Sequence, residues 1–200
     1  MMKWVFLRHG QSEANAQGWL SGHVDTPLTT RGEEQAREAK QRCLVWNFDR
    51  VFCSDLLRAH RTAELAIAGR DLELVVTPRL RERHMGDWAC ERLAELRAAG
   101  KTDVLVGWDG QPPNGESLSQ LAARVLPYLS EIELEGSTTL VVAHGALIRM
   151  VLGLVDGLEY ADIGPKKIAN CEPHFRELPA GFFGALIQRH ESSLGLPRSG

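Results

Sequence analysis

Phe6-Leu7-Arg8-His9-Gly10 and Val141-Val142-Ala143-His144-Gly145 are two short apolar runs that end alike, in a histidine followed by a glycine. Lys3 to Leu7 and Thr138 to Ala143 read as strands, the second as the more clearly buried of the two. In an open parallel sheet, ligands bind in the crevice beyond the carboxyl ends of the strands, so neighbouring strands would bring both histidines to one crevice. Glycine after each histidine permits a tight turn and close approach of the backbone to a ligand. A third run ends in Cys53-Ser54-Asp55-Leu56-Leu57-Arg58 and offers a guanidinium at the start of a helix, where free N–H groups and the helix dipole also favour an anion.

Outward from these runs, short apolar segments alternate with helical patterns, which predicts an α/β fold with a mostly parallel sheet. Arg50 to Cys53 and Leu74 to Pro78 read as further strands. Helices are predicted over Thr29 to Cys43, Leu56 to Ile67, Glu91 to Ala99, Ser117 to Ile132 and Ala146 to Leu154. Near the carboxyl end, Phe175 to Leu178 and Gly184 to Gln188 flank the turn signal Pro179-Ala180-Gly181 and read as an edge hairpin. Gly107 to Gly115 reads as a long loop, and loops of that length often border sites. No second-domain boundary is visible, so residues 1–191 read as one domain and residues 192–200 as a flexible tail.

The chain has 200 residues, 44% of them apolar and 24% charged, enough to bury roughly 70% of its surface without staples. Its 23 Lys and Arg against 26 Asp and Glu leave a net charge of −3, which argues against a general binder of nucleic acid or anionic membrane. No run approaches the roughly 20 apolar residues of a membrane span, and the amino-terminal run is too short for a signal peptide. Cys43, Cys53, Cys90 and Cys171 form no C-x-x-C pair and read as buried free thiols, so a reducing cytoplasm is inferred.

Taken together, Arg8, His9, Arg58 and His144 would gather two imidazoles and two guanidinium forks, and such forks match phosphate oxygens at two edges. Ser12 and Asn15 are short polar side chains able to donate to phosphate, though ordinary capping would use them equally well. His23, His60 and His84 lack the i, i+4 spacing of a helical zinc site and no cysteine or carboxylate completes a ligand set, so no metal is expected. His23 is placed instead at the substrate entrance. Trp19, Trp88 and Trp108 stand near loops expected to flank the site, with core packing as their simpler role.

Leu7-Arg8-His9-Gly10-Gln11-Ser12-Glu13-Ala14-Asn15 resembles the opening motif of the histidine phosphatase superfamily, which includes the cofactor-dependent phosphoglycerate mutases. Further segments resemble it in order: Asp25-Thr26-Pro27-Leu28-Thr29, Ser54-Asp55-Leu56 with Arg58-Ala59, Leu80-Arg81-Glu82 with Gly86, Gly115-Glu116-Ser117 and Ala143-His144-Gly145. The resemblance implies a three-layer α/β/α sandwich with helices on both faces of the sheet. It implies that His9 is the nucleophile and forms a phosphohistidine, with Arg8, Arg58 and His144 around the transferring phosphoryl and no cofactor. Glu82 would be the general acid, ahead of Asp55 and Glu116, and must hold a proton near neutral pH. Ser12, Asn15, Ser21, Gly22 and Gly145 would contact the phosphate or the substrate.

The chain departs from the family pattern in two stretches. Mutases carry a longer middle insertion with adjacent arginines that hold the substrate carboxylate, whereas Asp103 to Gly110 has no arginine pair, and Ala89-Cys90 follows Trp88 where many relatives have Glu-Gly. With a compact chain that leaves little material for a lid, this favours hydrolysis of a small phosphorylated metabolite. A phosphoglycerate mutase is the alternative enzyme, and a catalytically silent phospho-ligand binding module is the alternative from another class. Specificity would reside around Ser21 to Val24 and Trp88 to Asn114. The edge strands near Phe175 and Leu186 offer a surface across which a homodimer could pair.

Overall fold

The computed structural model describes residues 1–194. Five strands, β1 (Met2–Arg8), β2 (Arg50–Ser54), β3 (Leu74–Thr77), β4 (Thr138–Ala143) and β5 (Pro173–Leu178), form one sheet in the order β3-β2-β4-β1-β5. All neighbours are parallel except β5, which runs antiparallel to β1. The nine α-helices of the described residues are α1 (Glu13–Gln17), α2 (Thr30–Arg42), α3 (Leu57–Ile67), α4 (Leu93–Ala98), α5 (Thr102–Val106), α6 (Leu118–Glu131), α7 (Gly145–Val155), α8 (Tyr160–Ile163) and α9 (Phe182–Leu194).

Strand alternation divides the core in two. Trp4 and Phe6 of β1, with Val141 and Ala143 of β4, pack under α6, α7 and α9. Val5 and Leu7, with Leu140 and Val142, point the other way into the alanines Ala36, Ala39, Ala63 and Ala66 of α2 and α3. Small side chains on that face let two helices lie close to the sheet, and the result is the three-layer α/β/α sandwich. No helix among the described residues is long and apolar enough to cross a membrane.

The carboxyl-terminal hairpin is overturned. Phe175 to Leu178 belongs to β5, but Gly184 to Gln188 lies inside α9. Phe183, Leu186 and Leu194 are buried, a helical rather than an alternating spacing. Glu133 accepts the Gly181 and Phe183 N–H groups and so caps the helix entry. Phe183 meets Trp4 edge-on at 5.1 Å, and side chains buried to this degree contribute about 1.5–3 kcal/mol each. The expected flexible tail begins too early for the same reason: helix continues through Ser192 to the buried Leu194, and residues 195–200 lie outside the described residues. The pairing edge expected near Leu186 is therefore a packed helix. Three short helices, α1, α5 and α8, were not expected, and the predicted helix over Glu91 to Ala99 shortens to α4. Cys43, Cys53 and Cys171 are buried free thiols, but Cys90 is exposed.

Candidate active site

Parallel pairing of β1 with β4 sets Arg8 opposite Ala143, so the next residues, His9 and His144, leave the sheet side by side. The His9 N–H donates to the Ala143 carbonyl at 3.0 Å, and the two imidazoles meet edge-on with centroids 5.2 Å apart. His9 Nδ1 lies 2.7 Å from the Gly10 carbonyl oxygen. A carbonyl only accepts, so that nitrogen carries the proton and Nε2 keeps its lone pair. Burial, then the positive charges of Arg58 and Arg8, hold His9 well below the ordinary histidine value; burial, then Arg58 and His9, do the same to His144. Both rings are therefore neutral at neutral pH. Gly10 serves the turn in a different way from the one expected: a Cβ there would collide with the Gly32 carbonyl, so the close approach is to α2.

Two guanidiniums are fixed beside the imidazoles by main-chain carbonyls. Arg58 donates from Nη1 to Val24 at 3.1 Å and from Nη2 to Gly22 at 2.8 Å, while Arg8 donates from Nη1 to Ile168 at 2.6 Å. Thr62 links them to the nucleophile's turn, accepting the Gly10 N–H at 3.0 Å and donating to the Arg58 carbonyl at 2.7 Å. What stays unsatisfied is informative: Arg8 Nε, Arg58 Nε and both ring nitrogens of His144 are buried with no partner. Buried polar groups left unpaired cost about 1–3 kcal/mol each, and such a cluster is the signature of a place built for an acceptor.

Glu82 lies on the segment after β3 and is fastened at both oxygens, one accepting the Arg83 N–H at 2.8 Å and the other the Ala146 N–H at 3.1 Å. A carboxyl group has about four lone-pair sites, so these bonds leave one on each oxygen for a proton. The other two acids are engaged elsewhere. Asp55 is gripped by Arg81, whose hydrogen bonds and charge hold it below the usual carboxylate range. Burial pushes Glu116 up, but Arg124 and the His84 N–H outweigh it and leave Glu116 lowered. Glu82 alone of the three stands on the cleft wall.

The cleft has a volume of about 720 Å³. Of the residues singled out from the sequence, Arg8, His9, Asn15, Ser21, Gly22, Arg58, Glu82 and Gly145 line it. Gly145 starts α7 against Arg8, where a Cβ would come 3.3 Å from Nε. His144 is fully buried next to His9 and does not itself form the wall. Ser12 does not reach the cleft: its hydroxyl accepts the Asn15 N–H at 3.3 Å and the Asn15 side chain accepts the Ser12 N–H, a capping box for α1. His23 is also turned away, with Nε2 2.7 Å from the Glu82 carbonyl and its ring against His84. Trp19 lines the cleft, whereas Trp88 packs with Leu96 and Trp108 stacks on Tyr160. Among the described residues no three His, Cys, Asp or Glu side chains are grouped to hold a metal ion.

Sequence reasoning missed three contributors. Asn170 donates to the His9 carbonyl, Arg149 of α7 reaches the cleft, and the segment from Gly164 to Ala169 forms one wall. Arg149 was readable, because it lies four residues after Gly145 on the same helical face. The loop from Gly107 to Gly115 borders the acid's segment rather than the cleft, through Arg83 to the Gly110 carbonyl and Asp87 N–H to Pro113.

A family model described as histidine phosphatase superfamily (branch 1) matches residues 4–175. The chain is 35% identical over 162 residues to the adenosylcobalamin/alpha-ribazole phosphatase of Salmonella typhimurium, covering 76% of this chain and 78% of that protein. It is 36% identical over 189 residues to the 2,3-bisphosphoglycerate-dependent phosphoglycerate mutase of Methylocella silvestris, covering 88% of this chain and 92% of that protein. The structure of mycobacterial glucosyl-3-phosphoglycerate phosphatase with VO3 superposes with a TM-score of 0.80 at 28% identity, covering 86% and 91% of the two chains. Since a mutase is matched over 92% of its length, compactness does not separate hydrolysis from transfer.

Proposed function

The chain belongs to the histidine phosphatase superfamily, an assembly of phosphatases and mutases, and from that premise we propose that it is a metal-independent phosphomonoesterase acting on a small phosphorylated metabolite. The observation that carries the reading is the set of buried, unpartnered Arg8, Arg58 and His144 nitrogens around an imidazole whose Nε2 is free.

In the first step, His9 Nε2 attacks phosphorus, the P–N bond forms and the ester P–O bond breaks. Glu82 gives its proton to the departing alkoxide. Arg8 and Arg58 hold positive charge where the equatorial oxygens gather negative charge, so the protein supplies the stabilisation a metal would otherwise give. In the second step water attacks the phosphohistidine, Glu82 takes the water's proton, and the P–N bond breaks to release inorganic phosphate. The His9 tautomer is fixed throughout by the Gly10 carbonyl.

Hydrolysis is favoured over transfer by what the chain between Asp103 and Gly110 contributes to the cleft. The stretch where a mutase would present adjacent arginines instead contributes Leu105 and Val106. A cleft of about 720 Å³ also has room for water, at roughly 30 Å³ per molecule, beside a bound alcohol. Rapid mixing with p-nitrophenyl phosphate, followed by an acid quench and an alkaline quench, tests the reading: phosphate that is base-stable and acid-labile is expected on His9. Unchanged turnover in His9→Ala would exclude the mechanism, and isomerised phosphoglycerate without phosphate release would replace hydrolase by mutase. Tight ligand binding with no phosphoenzyme would support the silent binding module.

A further inference from the structure

The cleft carries more positive charge than one phosphoryl group can use. Arg8, Arg58, Arg97, Arg149, Lys166 and Lys167 line it, against the carboxylates Glu82 and Glu172. Arg8 and Arg58 are committed to the phosphoryl site, and Lys166 is paired with Asp156 at 3.1 Å. The remaining three come from three separate elements: Arg97 from α4, Arg149 from α7 and Lys167 from the segment that Arg8 ties down at Ile168.

None of these three side chains makes a hydrogen bond or salt bridge among the described residues, and the one carboxylate whose charge reaches Arg149 is Glu82. Arg97 and Lys167 are exposed on the cleft wall, and the Arg149 Nε is buried with no acceptor. Other arginines of this protein are satisfied: Arg83 and Arg124 by carbonyls, Arg61 and Arg176 by carboxylates. A guanidinium desolvated without an acceptor is costly, and the cost is offset when an anion supplies the missing oxygens.

We infer that Arg149, with Arg97 and Lys167 at the rim, forms a second anion subsite, and that the substrate is a phosphomonoester bearing a further acidic group, a second phosphate or a carboxylate. Its phosphoryl half rests on the reading of Arg8, His9 and Arg58 given above. Between Trp88 and Gly110 the cleft is lined by Leu93, Arg97, Thr102, Leu105 and Val106, so this segment gives the subsite one arginine and no adjacent pair, and the other two cations come from α7 and the segment before β5.

The test uses phosphonates, whose C–P bond this chemistry does not break, so that binding is read on the full wild-type chain without turnover. Calorimetry compares alkyl monophosphonates of two to six carbons with α,ω-bisphosphonates and ω-phosphonoalkanoates of the same lengths. At one or more lengths a doubly acidic ligand should bind about tenfold to hundredfold more tightly than its monoacid, the range for charge-assisted hydrogen bonds. The ligand series with the larger gain identifies the second group. Arg97→Glu and Lys167→Glu, both at exposed positions, should remove most of that gain while shifting monophosphonate affinity by less than about threefold, because exposed charges are screened. Arg149→Met should remove the rest, and the two surface variants carry the test even if it folds poorly. The subsite is overturned if no length shows a gain, or if the surface variants weaken both ligand classes alike. Turnover of p-nitrophenyl phosphate is measured beside the binding: its absence with the gain intact sinks the hydrolase reading and keeps the subsite.

Discussion

Asn170 donates its side-chain amide to the His9 carbonyl oxygen at 2.7 Å. With the Cys171 N–H on the Arg8 carbonyl at 2.9 Å and Arg8 Nη1 on the Ile168 carbonyl, the chain just before β5 is laced to the residues that end β1. The nucleophile is thus held from the C-terminal part of the chain as well as from its own turn. Asn170→Ala should cost about 0.5–1.5 kcal/mol of stability and lower kcat by a factor of several, with KM little changed, since what is lost is orientation of His9 and not contact with substrate. Urea unfolding and steady-state kinetics check the two halves, and a pure KM effect would contradict it.

Replacing the phosphoryl clamp should act on the rate. Arg58→Ala and His144→Ala are expected to lower kcat on the order of 10²- to 10³-fold, the range found when one preorganised donor to a transition-state oxyanion is removed. His9→Ala should go further, on the order of 10⁴-fold or more, and abolish the phosphoenzyme. A variant that forms phosphohistidine at the wild-type rate would show that its side chain does not contact the transferring group.

Glu82→Gln separates leaving-group protonation from the rest of the reaction. Alkyl phosphates, whose alkoxides leave poorly, should lose about 10²- to 10⁴-fold in kcat. The first step with p-nitrophenyl phosphate needs no proton and should lose far less. Equal losses on both substrates would mean that Glu82 serves the fold or the water-attack step alone.

Stability should fall in mild acid. His9 and His144 are held well below the ordinary histidine value near 6.5, burial being the main cause in each. Below about pH 6.5 the unfolded chain binds two protons that the native state refuses, so their contribution is complete above that pH and drains as pH falls towards the native values. Each group contributes a slope of about 1.4 kcal/mol per pH unit across that window. Urea midpoints taken between pH 7 and 5 should drop, and His144→Gln should flatten the slope by about one proton. The same depression keeps the nucleophile neutral, so the acid limb of kcat/KM due to His9 should lie below pH 6.5.

The Arg83 side chain is fully buried and its guanidinium hydrogen-bonds no carboxylate among the described residues, donating instead to the carbonyls of Glu116, Leu105, Val104 and Gly110. Burial pulls its guanidinium down to about 10. Arg83→Met would strand several buried acceptors, and about 3–5 kcal/mol of stability should be lost. A loss under 1 kcal/mol by chemical denaturation would show that water replaces the side chain without penalty.

Much of the catalytic half of this site is written in local sequence. His9 and His144 end two apolar runs, and parallel register alone then places them together; Arg58 begins a helix, so its position follows from the strand before it. The specificity half is not local. Lys167 and Arg97 sit in unremarkable sequence and acquire meaning only when tertiary packing brings their segments to one cleft. Ser12 shows the opposite error, a residue placed at the phosphate that is used up in a helix cap. The missed α9 arose because Phe183, Leu186 and Ile187 sit beside a turn signal and satisfy either period over so short a window, a choice settled by packing on α6.

Arg83 grips only main-chain oxygens from residues 104, 105, 110 and 116. Every amino acid presents the same carbonyl, so the grip on the arginine that follows Glu82 does not depend on which side chains stand at 104 and 105, while position 110 is held to glycine because a Cβ there would meet the Val104 carbonyl. Reaction chemistry and substrate choice are thereby insulated from each other. A lineage, or an engineer, could rewrite the cleft-facing residues of α4 and α5 for a new metabolite while the acid stays where it is, provided that the backbone path past Arg83 is preserved.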